Sequence, residues 1–107
     1  MKKIYSFIFA RGGSKGLPNK NIRKLVNKPL LAHSINIAKS LSRVSKVFVS
    51  TESEKISKLA QEYGADVIPR PAKLAEDDSP EWLAWQHAVQ WVESKFGPFD
   101  TFLSLPC

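Results

Sequence analysis

Glycines and cationic residues alternate in RGGSKGLPNKN, residues 11–21. Glycine lets a backbone approach a ligand closely and turn its N–H groups inward, which forms an anion-binding concavity. Basic side chains add charge-assisted hydrogen bonds to phosphate oxygens, and serine and asparagine add neutral ones. The segment therefore predicts a phosphate-binding loop. Its contributing residues are Arg11, Gly12, Gly13, Ser14, Lys15, Gly16, Lys20 and Asn21.

Two common phosphate-binding motifs do not fit this loop. A Walker A loop requires G-x-x-x-x-G-K-[ST], and no register of the segment provides it. A dinucleotide fingerprint requires G-x-G-x-x-G; Gly13 and Gly16 match its last two glycines, but Arg11 occupies the first position. The alternative to phosphate binding is a solvated basic turn, and the length and position of the loop favour the phosphate.

The positive charge of the chain is concentrated in its first half. Residues 1–51 contain 11 Lys or Arg and no Asp or Glu, whereas residues 52–107 contain 5 basic and 10 acidic residues. Such a half attracts polyanions, which include nucleic acid, an anionic surface and the phosphates of a nucleotide. Composition alone does not choose among these three.

The length of 107 residues predicts one domain, 1–107. No apolar run approaches the roughly 20 residues that span a bilayer, and the start has no cleavage site, so we expect a cytoplasmic protein. The single cysteine, Cys107, agrees with a reducing compartment. One cysteine and two separated histidines offer no metal cluster.

The apolar pattern alternates between strand-like and helical segments. Short runs rich in β-branched and aromatic residues predict strands at 3–10, 46–50, 66–69 and 99–106. Apolar residues at helical spacing predict helices at about 29–41, 51–64 and 79–96. The residues between 70 and 79 have no period and predict a loop.

Capping signals accompany the three helices. Asn27 could cap the first, and Thr51 stands three residues before Glu54, the spacing of a capping box for the second. Ser79 and Pro80 fit the N-cap and first position of the third. Its predicted core stripe is Trp82, Trp85, Val89, Val92 and Phe96.

Alternating strands and helices predict the α/β class, with a mostly parallel sheet and helices on both faces. The connection 11–28 is far longer than an ordinary strand-to-helix loop, and it emerges where open α/β sheets bind ligands. The last predicted strand has no following helix to cover it. We therefore expect a truncated fold, the first part of a longer protein.

The segment ARGGSKGLPNKNI closely resembles the N-terminal signature of the acylneuraminate cytidylyltransferase family, the CMP-sialic acid synthetases and their relatives. The resemblance continues through NKPLLAHSI, KVFVSTES, ISKLAQEYGADVIPRPAKLAEDDSP and LSLPC, and so covers essentially the whole chain. It implies a Rossmann-like nucleotidyltransferase fold. It also implies that the anomeric hydroxyl of an acidic sugar, such as N-acetylneuraminate, attacks the α-phosphate of CTP and releases pyrophosphate in the presence of Mg²⁺.

The resemblance implies roles for particular residues. Arg11 and Lys20 would be catalytic, gripping the triphosphate and stabilising its developing charge, with Ser14, Lys15 and Asn21 assisting. The backbone at Gly12 and Gly13 would contribute to the same nucleotide site.

The segment IPRPAKLAEDDSP would lie near the nucleotide. Arg70 resembles the arginine of the family's RP motif, and Asp77, with Ser79 and Glu81 as weaker candidates, would shape the pyrimidine and ribose pocket. The alternatives are an ion pair of Arg70 with Asp77 or Asp78, and helix capping by Ser79 and Glu81.

The chain departs from the family at its end. Pro106 stands where many members carry a glutamine associated with the base, so the base preference is open. The family's metal-binding aspartates, much of its sugar site and its dimerisation segment lie downstream. We therefore expect Mg²⁺ ligands mainly from substrate phosphates and downstream residues, a homodimer in the full-length protein, and no complete reaction by this chain alone.

Two other functions stay open at this point. One is a small basic nucleic-acid-binding protein, although no recognised nucleic-acid motif occurs. The other is a noncatalytic remnant of a nucleotidyltransferase. His33, His87 and the tryptophans are interpreted as structural or surface residues, and Cys107 has no identifiable activating base.

Overall fold

The computed structural model describes residues 3–10, 24–25, 28–75 and 80–105. Within these ranges the strands are β1 (Ile4–Phe9), β2 (Lys24–Leu25), β3 (Lys28–Pro29), β4 (Val44–Thr51), β5 (Asp66–Pro69) and β6 (Thr101–Leu105). The helices are α1 (Leu30–Ser40), α2 (Glu54–Glu62), α3 (Glu81–Phe96) and a short 3-10 helix at Ala72–Ala75.

Four of the strands form one parallel sheet in the order β5-β4-β1-β6. The chain steps from β1 to β4 to β5 in one direction, and then crosses through α3 to pair β6 with the other side of β1. The strand order therefore reverses at β1, and in open α/β sheets such a reversal opens a crevice at the carboxyl ends of the strands. The predicted α/β class and parallel sheet are confirmed.

Side chains alternate between the two faces of the sheet and build one apolar cluster on each. On one face Ile8 and Val49 pack with α1 and α2, through residues such as Leu31, Ile35 and Ile56. Leu31 and Ile35 are four residues apart on α1, the spacing that directs both toward the same neighbour.

The opposite face is aromatic and lies under α3. Tyr5, Phe7 and Phe48 are buried there with Ala88 and Val92 of α3. The ring centroid of Phe7 lies 5.4 Å from that of Phe48 and 4.7 Å from that of Phe102. Phe7 is fully buried, so this strand residue is at the centre of the aromatic cluster.

The predicted core stripe of α3 is wrong for most of its members. Trp82 is 59% exposed, and Trp85 and Phe96 are also exposed. The buried positions of α3 are Ala84, Ala88 and Val92. Val92 is buried as predicted, and the partly exposed rings of Trp85 and Phe96 contact those of Phe102 and Phe48. The small side chains of Ala84 and Ala88 fit between this helix and the bulky aromatic residues of the sheet. Volume therefore overrode the apolar periodicity.

The helix starts also differ from prediction. Ser53 caps α2, since its Oγ accepts from the Ile56 N–H at 3.3 Å. Thr51 instead ends β4 and accepts from the Ser53 N–H at 3.1 Å. Pro80 occupies the N-cap position of α3, with no side-chain cap, and Ser79 lies outside the described residues.

Three connections refine the predicted plan. Gly64 follows α2 with φ of +87°, a conformation that suits glycine at a helix end. The predicted loop after β5 contains the 3-10 helix Ala72–Ala75. The long connection contains the antiparallel pair β2–β3, which the sequence did not indicate. Among the described residues, no helix is both long and apolar enough to cross a membrane.

Candidate functional site

The carboxyl ends of three neighbouring strands are tied together by backbone hydrogen bonds. The Ala10 N–H, just after β1, donates to the Ser50 carbonyl oxygen of β4 at 3.0 Å. The Arg70 N–H, just after β5, donates to the Thr51 carbonyl oxygen at 3.0 Å. Residues that follow β1 and β5 are thereby held against the end of β4.

The Arg70 side chain lies at this edge and is only 6% exposed. Its Nε donates to the Ser50 Oγ at 3.1 Å, and its Nη2 donates to the Ser50 carbonyl oxygen at 3.0 Å. The guanidinium carbon lies 5.8 Å from the centroid of the Phe9 ring, within the range of a cation–π interaction. Arg70 is thus fixed by contacts with β4 and β1.

The local sequence helps to hold this arginine in place. Arg70 stands between Pro69 and Pro71. A proline has a fixed φ, and the residue before a proline is biased toward extended backbone. Two prolines therefore restrict the backbone on both sides of Arg70 before any side-chain contact forms.

A guanidinium held in this way can recognise an anion or a carbonyl group. It carries about five N–H donors in a rigid planar fork, of which Ser50 accepts two. Burial strengthens hydrogen bonds because the local dielectric constant is low. This edge is therefore suited to bind an oxygen-rich polar ligand such as a nucleotide.

Most of the predicted site lies outside the described residues. Arg70 is the predicted site residue whose position the structure gives. The others are Arg11, Gly12, Gly13, Ser14, Lys15, Lys20, Asn21 and Asp77, which stay predictions. The same holds for the predicted pairing of Arg70 with Asp77 or Asp78. Glu81, a weaker candidate, is exposed in the first turn of α3.

Ser50 and Phe9 were not predicted from the sequence as partners of Arg70. Both lie at the carboxyl end of a predicted strand, and β1 and β4 pair them directly, Phe9 opposite Ser50. A polar residue that ends an apolar strand is the one signal that could have singled out Ser50. The hydrogen bond between Ser50 and Arg70 could not be predicted from local sequence, because the two residues are 20 positions apart.

His87 of α3 also interacts electrostatically with Arg70. The Nδ1 atom is buried and has no hydrogen-bond partner in the described part of the chain. Desolvation by burial, followed by the positive charge of Arg70, lowers the pKa of His87 below its ordinary value of 6.5. The interpretation of His87 as an ordinary structural histidine did not include this electrostatic contact.

This lowered pKa predicts a pH-dependent stability. Below pH 6.5 the unfolded chain protonates at His87 more readily than the folded chain, so unfolding takes up a proton. The contribution of His87 is therefore complete above pH 6.5 and is lost as the pH falls toward and through the folded pKa. We expect urea unfolding between about pH 8 and pH 5 to show a smaller loss of stability for His87→Gln than for the wild-type chain. Equal slopes for the two proteins would contradict the assignment.

The described residues contain no group of three or more His, Cys, Asp or Glu side chains that could hold a metal ion. We assign no chemical step to a metal held by these residues.

Known proteins resemble this chain in sequence and in fold. A family model described as cytidylyltransferase matches residues 6–83. The N-acylneuraminate cytidylyltransferase of Escherichia coli O18:K1:H7 is 45% identical over 87 residues, which are 81% of this chain and 21% of that protein. The CMP-N,N'-diacetyllegionaminic acid synthase of Campylobacter jejuni is 38% identical over 107 residues, which are 98% of this chain and 46% of that protein.

A solved structure of CMP:2-keto-3-deoxy-manno-octonic acid synthetase complexed with CTP matches the fold with a TM-score of 0.75. It is 27% identical, and the match covers 97% of this chain and 39% of that one. The chain therefore spans less than half the length of each of these three proteins.

The sheet order and the match to the solved synthetase structure place the chain in the class of Rossmann-like α/β proteins. Within that class, the chain belongs to the cytidylyltransferase family, to which the N-acylneuraminate enzymes also belong. The resemblance found in the sequence motifs is confirmed.

Proposed function

We propose that this chain carries the CTP-binding part of an enzyme that transfers CMP from CTP to an acidic sugar such as N-acetylneuraminate. The observation that carries the proposal is the buried guanidinium of Arg70, held at the edge from which the glycine-rich loop emerges. Relatives named for neuraminic and legionaminic acids support the substrate class, and they differ in the sugar.

In the proposed reaction the anomeric oxygen of the sugar attacks the α-phosphorus of CTP. A bond forms between that oxygen and phosphorus, the bond from phosphorus to the oxygen bridging to the β-phosphate breaks, and pyrophosphate leaves with that oxygen. The sugar hydroxyl loses its proton. Such a displacement requires little covalent chemistry from the protein and much charge neutralisation.

The cationic residues of the loop fit that requirement. Arg11 and Lys20 would neutralise the triphosphate and the charge that develops on the leaving pyrophosphate, and removing one such donor typically lowers the rate by about 100-fold. Arg70 would bind the nucleotide beside the loop, because its guanidinium lies against Ser50 of β4 and Phe9 of β1, the strand that precedes the loop.

The remaining parts of the proposal come from the sequence and from the resemblance of its motifs to the family. Mg²⁺ would reach the reaction bound mainly to the phosphates of CTP. The complete enzyme would be a cytoplasmic homodimer, and this chain by itself would bind CTP without completing the transfer.

The test of the proposed function is calorimetric titration of the chain with CTP, UTP, GTP and a short oligonucleotide, each with and without Mg²⁺. We expect CTP to bind, and Lys20→Ala to weaken it by about tenfold, since a charge-assisted hydrogen bond contributes at least about 1.4 kcal/mol. Lys58→Ala, an exposed lysine on α2, is the matched control and should bind CTP as the wild-type chain does.

Other results of the same titration would reject the proposal. Oligonucleotide binding that falls steeply with salt, without any binding of CTP, would favour a nucleic-acid-binding protein. No binding of any nucleotide would favour a noncatalytic remnant.

A further inference from the structure

Ser50 makes contacts that its burial alone does not explain. It is fully buried at the carboxyl end of β4, and its Oγ accepts from the Nε of Arg70. Ser6, on the neighbouring strand β1, is equally buried, yet its Oγ has no partner in the part of the chain that the structure describes. A serine can therefore be buried in this sheet without a cationic hydrogen-bond partner. Burial alone does not account for the hydrogen bond between Ser50 and Arg70.

The carbonyl group of Ser50 joins two segments of the site. Its oxygen accepts from Arg70 Nη2 and from the Ala10 N–H, both at 3.0 Å. Ala10 is the last described residue before the glycine-rich loop. One residue thus fixes the side chain of Arg70 and the backbone from which the loop departs.

The geometry of the contact determines how Arg70 is presented. Two hydrogen bonds from Nε and Nη2 to the same residue hold the plane of the guanidinium, and the Phe9 ring lies against it. The edge of a guanidinium that holds Nη1 and the second N–H of Nη2 lies away from Nε. With Ser50 on the edge that holds Nε, the Nη1 edge is not the one that faces Ser50. Loss of the Oγ would remove one of the two hydrogen bonds through which Ser50 holds the plane.

We propose that Ser50 is a positioning residue for nucleotide binding, which orients Arg70 toward CTP without touching CTP itself. This inference rests on the proposed function. Ordering a long side chain at the moment of binding reduces the affinity for a ligand. Because Ser50 holds the guanidinium of Arg70 in place beforehand, we expect Ser50 to increase the affinity for CTP.

A double-mutant cycle tests this role on the whole chain. The CTP dissociation constant is measured by NMR titration, which reads weak affinities, for wild type, Ser50→Ala, Arg70→Ala and the double variant. We expect Ser50→Ala to weaken CTP binding by about tenfold in the wild-type background and by less than about twofold in the Arg70→Ala background. Ser6→Ala, the same change at an equally buried serine, should change the dissociation constant by less than about twofold.

The outcomes separate this inference from the proposed function. Equal weakening by Ser50→Ala in both backgrounds would mean that Ser50 acts independently of Arg70, which overturns the inference. Wild-type binding that weakens in Arg70→Ala but not in Ser50→Ala would also overturn it, and would leave the proposed function standing. No CTP binding by the wild-type chain would overturn both.

A second variant covers loss of folding. If Ser50→Ala shows no cooperative thermal transition, it is not folded, and Ser50→Cys takes its place in the cycle. The thiol has nearly the same size as the hydroxyl but is a weak acceptor. The same coupling with Arg70 is then expected, and its absence overturns the inference.

Discussion

Replacing Arg70 with methionine is expected to weaken CTP binding by about 100-fold. Hydrogen bonds to a charged group contribute about 1.5–3 kcal/mol, and each 1.4 kcal/mol is a factor of ten in affinity. Arg70 is 6% exposed, so water can replace its contacts with a ligand only poorly. Calorimetric titration with CTP measures the change, and methionine keeps an unbranched apolar stem in place of the stem of arginine.

Arg70→Lys separates geometry from charge. Lysine retains the positive charge but has no planar fork, so it cannot reproduce both bonds that Nε and Nη2 make to Ser50. We expect its affinity for CTP to lie between those of the wild type and Arg70→Met. Affinity of Arg70→Met equal to that of wild type would remove Arg70 from the nucleotide site.

Replacing Phe7 with alanine is expected to lower the free energy of unfolding by about 4 kcal/mol. Phe7 is fully buried, and its ring packs against the rings of Phe9, Phe48, Phe99 and Phe102. A small domain has only about 5–15 kcal/mol of stability in total, so the variant should be near its folding limit. Urea unfolding followed by tryptophan fluorescence measures the loss.

Trp82→Ala is the matched control for the aromatic cluster. Trp82 is a larger aromatic residue, but it is 59% exposed on the outer side of α3. We expect its replacement to change the free energy of unfolding by no more than about 0.5 kcal/mol. A loss as large as that of Phe7→Ala would contradict the placement of Trp82 outside the buried face of α3, which is formed by Ala84, Ala88 and Val92.

The sequence predicted the order of the main elements because their signals are local. The third predicted strand, 66–69, has the same bounds as the observed β5, Asp66–Pro69. Apolar spacing also located the three helices. It misplaced the buried face of α3, because periodicity identifies an apolar stripe but not the volume that fits against Phe7 and Phe48.

The site was predictable in part for a similar reason. Arg70 was identified through the RP motif, which lies within a short stretch of chain. Its partners Ser50 and Phe9 come from other strands, and only the parallel register places them next to each other. Capping shows the same limit on a smaller scale: Thr51 and Ser53 are both good N-cap residues, and the end of β4 at Thr51 decided between them.

We infer that CTP binds at the carboxyl edge of β1, β4 and β5. NMR titration of the ¹⁵N-labelled chain with CTP tests this binding site. The signals of the Arg70 Nε–H and of the backbone amides of Ala10 and Thr51 come from that edge. The backbone amide of Thr101 lies at the other end of the sheet and is the control. We expect the first three signals to shift together with one dissociation constant and the Thr101 signal to stay in place. Saturable CTP binding that leaves the Arg70 Nε–H signal unchanged, or that moves Thr101 instead, would contradict it.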